Sequence, residues 1–151
     1  MLKVIEYFED KDKELWKKQI AAADRRAAGF LAELLNDIPR MESLLGKNSR
    51  LFLLVDNKKL ISFATLSNQD CISSPRRFPW IGFVYTYPEY RNKGNSRFLL
   101  DTICERTKSS GYSEIWIATD QTNLYEHYGF TYIENQKDIY GDDDRVYCRK
   151  L

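Results

Sequence analysis

Apolar and polar positions alternate over residues 2–8, LKVIEYF, and predict a short strand. From about Asp12 the period lengthens. Trp16, Ile20, Ala23 and Ala27 recur at intervals of four, three and four, the stripe of a helix packed on one side. Phe30, Leu31, Leu34, Leu35 and Ile38 continue the stripe, with Gly29 as the expected break between two helices. Pro39 should end the second, because proline pushes the residue before it out of helical backbone space. RLFLLVDNKKLISFATLS then sets two apolar runs about a polar DNKK, which reads as a β-hairpin.

After the loop SSPRRFP comes WIGFVYT, a strand too apolar to be exposed on both faces. A helix after the basic loop that follows carries Leu99, Leu100, Ile103 and Thr107 on one side and should stop at Gly111, a residue suited to a left-handed C-terminal position. EIWIATD is a second buried strand, and QTNLYEHYG a short helix closed by Gly129. FTYIEN and RVYCRKL are late strands around an acidic GDDD. The strand–helix–strand unit across residues 80–120 requires a parallel pair in an otherwise mainly antiparallel sheet. The expectation is a mixed α/β fold, one domain over residues 1–151, with about seven strands and about four helices.

Composition narrows the class. A chain of 151 residues, 43% hydrophobic, can bury a substantial core, and a net charge of +1 argues against binding nucleic acid through a global basic excess. Cys71, Cys104 and Cys148 are far apart, and with one histidine, His127, they form no zinc-binding pattern; free thiols in a reducing cytosol are expected, and no metal. The N-terminal residues lack the apolar core of a signal peptide and no run is long enough to span a bilayer, so a cytoplasmic protein without a membrane partner is expected.

Candidate chemistry concentrates in VYTYPEYRNKGNSRFLL, residues 84–100, where a strand passes into a helix through a polar, glycine-centred loop. Backbone N–H groups at a helix N-terminus are unpaired, and the helix dipole is positive there. Gly94 and the small Ser96 allow a phosphate to approach, while Arg91, Lys93 and Arg97 add charge. Ordinary turns use the same residues, so the loop alone does not settle the matter.

RNKGNS resembles the Arg/Gln-x-x-Gly-x-Gly/Ala loop of the GCN5-related N-acetyltransferase (GNAT) family, and IGFVYTYPEYR resembles the strand that leads into it. LYEHYGF, some thirty residues on, resembles the family's Tyr-x-x-x-Gly-Phe motif. The likeness covers about residues 51–135; residues 1–50 fit by element order, and Ser96 departs from the usual Gly or Ala. The resemblance implies a GNAT-like fold whose central, mostly antiparallel twisted sheet has a parallel pair in the middle. It implies that the backbone of Arg91, Asn92, Lys93, Gly94, Asn95, Ser96 and Arg97 binds the pyrophosphate of acetyl-CoA. Phe83, Val84 and Tyr85, on the bulged fourth strand, would hold the pantetheine and thioester. Tyr125 would be the proton donor, since a phenol with pKa about 10 is protonated at neutral pH and faces a thiolate whose acid titrates near about 8.5. Tyr128 is the fallback, and His127, on a largely opposite face, reads as a surface residue.

No general base follows from the sequence. The fourth strand offers no carboxylate, and Asp70, Asp120, Glu33 and Asp37 each read as solvated or capping residues. Asp142, Asp143 and Asp144 suggest an acidic lip suited to a cationic small-molecule amine, against the simpler reading of a solvated turn. Trp80, Tyr85, Tyr87 and Tyr140 are either flat walls for the acceptor or core. The expected activity is direct transfer of acetyl from acetyl-CoA to such an amine, with a homodimer left open. The alternatives are a non-catalytic acyl-CoA-binding module, a transferase acting on a protein amine, and a nucleic-acid binder using the three loop cations.

Overall fold

The computed structural model describes all 151 residues. Strands β1 (Leu2–Glu6), β2 (Arg50–Asp56), β3 (Lys59–Ser67), β4 (Trp80–Thr86), β5 (Glu114–Thr119), β6 (Thr131–Lys137) and β7 (Asp143–Lys150) make one sheet, ordered β1-β2-β3-β4-β5-β7-β6. Every neighbouring pair is antiparallel except β4 and β5. That parallel pair is joined by a helix, as a crossover requires. Helices α1 (Lys13–Ala21), α2 (Arg26–Leu35) and α3 (Ile38–Leu45) lie between β1 and β2 in the chain, and α4 (Asn95–Ser109) between β4 and β5.

The continuous apolar run of β2 has a direct cause: the sheet is covered on both faces. Leu51, Leu53 and Val55 pack with Trp16, Ile20, Leu31, Leu34 and Met41 of the first three helices. Phe52 and Leu54 point the other way, against Leu99, Leu100 and Ile103 of α4. At about 1.5–3 kcal/mol for each large aliphatic or aromatic side chain buried, these two layers supply most of the favourable free energy of folding. No helix is long and apolar enough to cross a membrane.

The first helical region departs from expectation. Its break falls at residues 22–25, while Gly29 sits inside α2, where nothing lies within 4 Å of a Cβ built on it. Pro39 starts a helix where it was expected to end one. Helix α2 has already stopped at Leu35, and Pro39 occupies the first turn of α3, where its missing N–H loses no bond. Asp37 caps that turn by accepting from the Arg40 N–H at 3.3 Å. The short helix expected around LYEHYG is a single 3-10 turn, Tyr125–Tyr128, closed by Gly129 at φ +85°. The hairpin, the α4 stripe and the stop at Gly111 (φ +99°) are as expected.

Candidate active site

The site begins where the sheet splits. Strands β4 and β5 pair only at Trp80 with Trp116 and Ile81 with Ile117, and then separate. On the other side of β4, the register with β3 shifts between Phe63 and Thr65, so Phe83 and Val84 together oppose Ala64. This is a β-bulge, and Phe83 takes φ +53° to make it. A bulge bends its strand, which turns β4 away from β5 and leaves Phe83, Val84 and Tyr85 without a strand partner on the β5 side. The gap is a cleft of about 240 Å³, lined by these three residues with Ile117, Ala118 and Tyr125 among others.

One end of the cleft continues past the basic loop. Asn92 (φ +60°) and Gly94 (φ +80°) are both left-handed, so successive backbone N–H groups converge as α4 begins at Asn95. Space is open above Gly94, with no atom within 4 Å of a Cβ built there. Polar side chains of the loop turn back to the scaffold and stiffen it. Asn95 Nδ2 donates to the Tyr90 carbonyl at 2.9 Å, and Arg91 Nε to the Thr86 carbonyl at 2.8 Å. Ser96 ends a hydroxyl chain: its Oγ is 2.7 Å from Thr86 Oγ1, which is 2.8 Å from Ser62 Oγ, which donates to the Tyr85 carbonyl. The unusual serine is thus accommodated by β3 and β4 and leaves the helix N-terminus clear. Arg97 lies 3.7 Å from Asp101, while Lys93 is exposed.

Tyr125 stands where the loop end meets the gap and lines both. It is buried, edge-on against Tyr128 and Phe130, and burial holds its phenol above the ordinary value. Tyr128 borders only the loop end, and His127 is exposed on the far side of the turn. Arg91, Asn92 and residues 94–97 of the loop, the three β4 residues and Tyr125 therefore line one cleft, joined through Val84, Tyr85 and Tyr125, while Lys93 stays outside it.

Beyond the gap lies a third region, a cavity of about 280 Å³ walled by Phe30 and Leu34 of α2, Leu44 and Leu45 of α3, and Ile139 and Tyr140 of the β6–β7 loop. Asp70 opens onto it. A Cβ on Gly82 would meet Asp70 Oδ2 at 2.7 Å and Thr65 Oγ1 at 3.0 Å, so only glycine permits the carboxylate to lean on the bulge. Asp70 accepts from the Cys71 N–H at 2.6 Å, and burial raises its pKa. The Cys71 thiol is raised too, first by burial and then by the nearby Asp70 and Asp144 charges.

Sequence reasoning read Asp70 as solvated or capping. The structure turns its carboxylate inward, because Asp70 follows a buried strand and has glycine as its neighbour. Asp37 does cap, and Glu33 and Asp120 are exposed. The acidic lip divides: Asp142 is exposed, Asp143 pairs with Lys137 at 2.9 Å, and only Asp144 faces the cleft. There Asp144 is pushed up to about 6 by burial and by Asp138. Of the four aromatics, Tyr140 lines this third cavity and Trp80 is core. The Tyr87 hydroxyl is spent on the Gln19 carbonyl at 2.6 Å, and the Tyr85 ring packs on Phe63 while its backbone borders the gap. Gly82 and Cys71 carried no sequence signal. The three cysteines are free.

A sequence model of the acetyltransferase (GNAT) family matches residues 6–130. No curated protein matches the chain by sequence. Among solved structures, a protein assigned to the GNAT acetyltransferases from Desulfovibrio desulfuricans superposes with a TM-score of 0.71 at 16% identity, covering 99% of each chain. A GNAT acetyltransferase from Elizabethkingia anophelis with acetyl-CoA bound gives 0.69 at 15% identity, covering 99% of this chain and 98% of that one. A protein assigned as a streptothricin acetyltransferase from Bacillus anthracis, in complex with acetyl-CoA, gives 0.57 at 16% identity over 69% of this chain and 63% of its own.

Proposed function

The chain belongs to the GNAT acetyltransferase family, and from that premise we propose that it transfers the acetyl group of acetyl-CoA directly to a primary amine of a small molecule. The observation that carries this reading is the continuity of the cleft. A left-handed nest at a helix N-terminus leads through a split between parallel strands, past a buried phenol, into a cavity that holds a carboxylate.

In this reading the backbone N–H groups of residues 91–97 bind the pyrophosphate, with Arg91, Lys93 and Arg97 adding charge. The unpaired β4 backbone at Phe83, Val84 and Tyr85 aligns the pantetheine and donates to the oxyanion that forms when nitrogen attacks the thioester carbon. As the C–S bond breaks, Tyr125 donates its O–H to the leaving sulfur. A phenol raised above about 10 cannot give its proton away outright to a thiolate whose acid lies near about 8.5. Its work is to hold the sulfur charge, and the net proton comes from the acceptor nitrogen, which must lose one to become an amide.

Direct attack is favoured over an acetyl-cysteine intermediate by the state of Cys71. It is the only thiol that lines the cleft, and its surroundings hold it as a thiol, where a nucleophile needs the thiolate. A non-catalytic acyl-CoA module would have no use for a carboxylate and a phenol on opposite sides of the thioester position.

The test is a calorimetric titration with acetyl-CoA followed by thiol release on a panel of primary amines. Micromolar binding and release on one amine class are expected. Absence of binding would overturn the assignment of the loop, and binding without release on any amine would favour the non-catalytic module.

A further inference from the structure

The acceptor cavity is chemically lopsided. Its walls are Phe30, Leu34, Leu44, Leu45, Ile139 and Tyr140, and Asp70 is the one charged residue that lines it. Resting on the transferase reading above, we propose that the acceptor is a compact monoamine with an apolar body, an aryl-alkyl or branched alkyl amine. Its ammonium docks on Asp70 beside the β4 bulge, and its body fills the α2–α3 side of the cavity.

Three observations support this class over a polycation. The first is size: about 280 Å³ stands at the small end of ligand pockets and suits one ring or a short branched chain. Charge is the second. The guanidinium of Arg40 sits 5.2 Å from the centre of the Phe30 ring, so a second positive charge on the acceptor would approach a like charge at that wall. No second carboxylate lines the cavity: Asp143 pairs with Lys137, Asp142 is exposed, and Asp144 faces the adjoining gap, where it accepts from Cys71 Sγ at 3.5 Å.

The third observation concerns Asp70 itself. It has no cationic partner in the protein, which is rare for an enclosed carboxylate. Thr65 Oγ1, buried and without a hydrogen-bond partner, converges on the same point beside Gly82. An arriving ammonium supplies the missing countercharge. Asp70 is then placed to take one proton from R–NH3+, leaving a neutral amine whose lone pair can attack the thioester carbon. The proton rests on the carboxyl until solvent or product removes it, and no other reactant is needed. Asp70 thereby combines recognition with activation.

The test compares 2-phenylethylamine with spermidine, using thiol release from acetyl-CoA and calorimetric titration of each amine into the protein saturated with CoA. Phenylethylamine is expected to exceed spermidine in kcat/KM by at least about tenfold, since burying a second charge among apolar walls is disfavoured. Asp70→Asn should lower phenylethylamine kcat/KM by at least about thirtyfold, with acetyl-CoA affinity within about twofold of the parent. Asp70→Glu should regain part of the loss, which a merely structural role would not produce. Equal or better use of spermidine overturns the proposal, as does an Asp70→Asn protein that binds and acetylates normally. Failure of phenylethylamine both to bind and to react, in a protein that binds acetyl-CoA, overturns it as well while leaving the cofactor assignment intact. Failure of acetyl-CoA itself to bind strikes the transferase reading instead.

Discussion

The two halves of the cleft are made in different ways. The half we assign to the cofactor comes from one stretch, residues 83–97, in which a bulge, two left-handed residues and a helix start follow one another, and the binding surface we propose there is backbone. The half we assign to the acceptor comes from α2, α3, the β3–β4 loop and the β6–β7 loop, and there side chains are the surface. Backbone recognition depends on local φ/ψ and is therefore written in short motifs of glycine and small residues. Side-chain recognition depends on which distant segments the fold brings together, and no contiguous pattern records it.

The largest effect should come from breaking the local half. Gly94→Val places a β-branched residue at φ +80°, where it is strained, and sends its side chain into the open space above the loop. Acetyl-CoA affinity should fall by more than about a hundredfold with the circular dichroism of the parent retained. Affinity within a few-fold of the parent would mean that the pyrophosphate is held elsewhere. Next in size is Tyr125→Phe, which removes one donor at the junction of the halves. A hydrogen bond to a charged sulfur is worth about 2 kcal/mol, so kcat should drop by roughly thirtyfold at unchanged acetyl-CoA affinity. Matching loss of kcat and affinity would assign the phenol to binding.

The same contrast explains what could be read in advance. The hairpin, the α4 stripe, the parallel crossover and the glycine-centred turn into α4 were legible because each is a periodicity or a turn signal within a few residues. The α1–α2 break and the role of Pro39 were not, because proline tolerates both the residue after a helix and the first turn of one, and tertiary packing chose the second. Asp70 was misjudged for a similar reason: its inward turn depends on Gly82, twelve positions away, lacking a side chain. The acidic run looked uniform, yet Lys137 across the hairpin neutralises one member, and another, Asp144, is half-buried against Cys71.

A single methyl group sharpens the comparison. Gly82→Ala would set a Cβ 2.7 Å from Asp70 Oδ2 and 3.0 Å from Thr65 Oγ1, so the carboxylate must shift. The acceptor KM should rise by about tenfold, as a misplaced charge contact of about 1.4 kcal/mol implies, while acetyl-CoA affinity stays level. Should cofactor affinity fall instead, the bulge backbone, and not Asp70, is the element that glycine protects.

The smallest effect tests charge. The loop end of the cleft is basic, and the gap carries Asp144, which Asp138, Cys71 and Asp120 surround. Its folded pKa of about 6 lies above the ordinary 3.8, so the folded protein keeps a proton that the unfolded chain has released. Any stability tied to that proton is present below about pH 4 and is lost as the pH rises through about 6. Asp138 is shifted the opposite way, and its contribution changes only below its ordinary value, in a separate window. Asn at position 144 can still donate to Asp138 and cannot ionise. Asp144→Asn should therefore equal the parent in urea midpoint near pH 4 and gain about 1 kcal/mol by pH 7, a modest figure because solvent screens a half-exposed carboxylate. A gap of constant size across that range would show that the substitution acts through packing and not through the ionisation of Asp144.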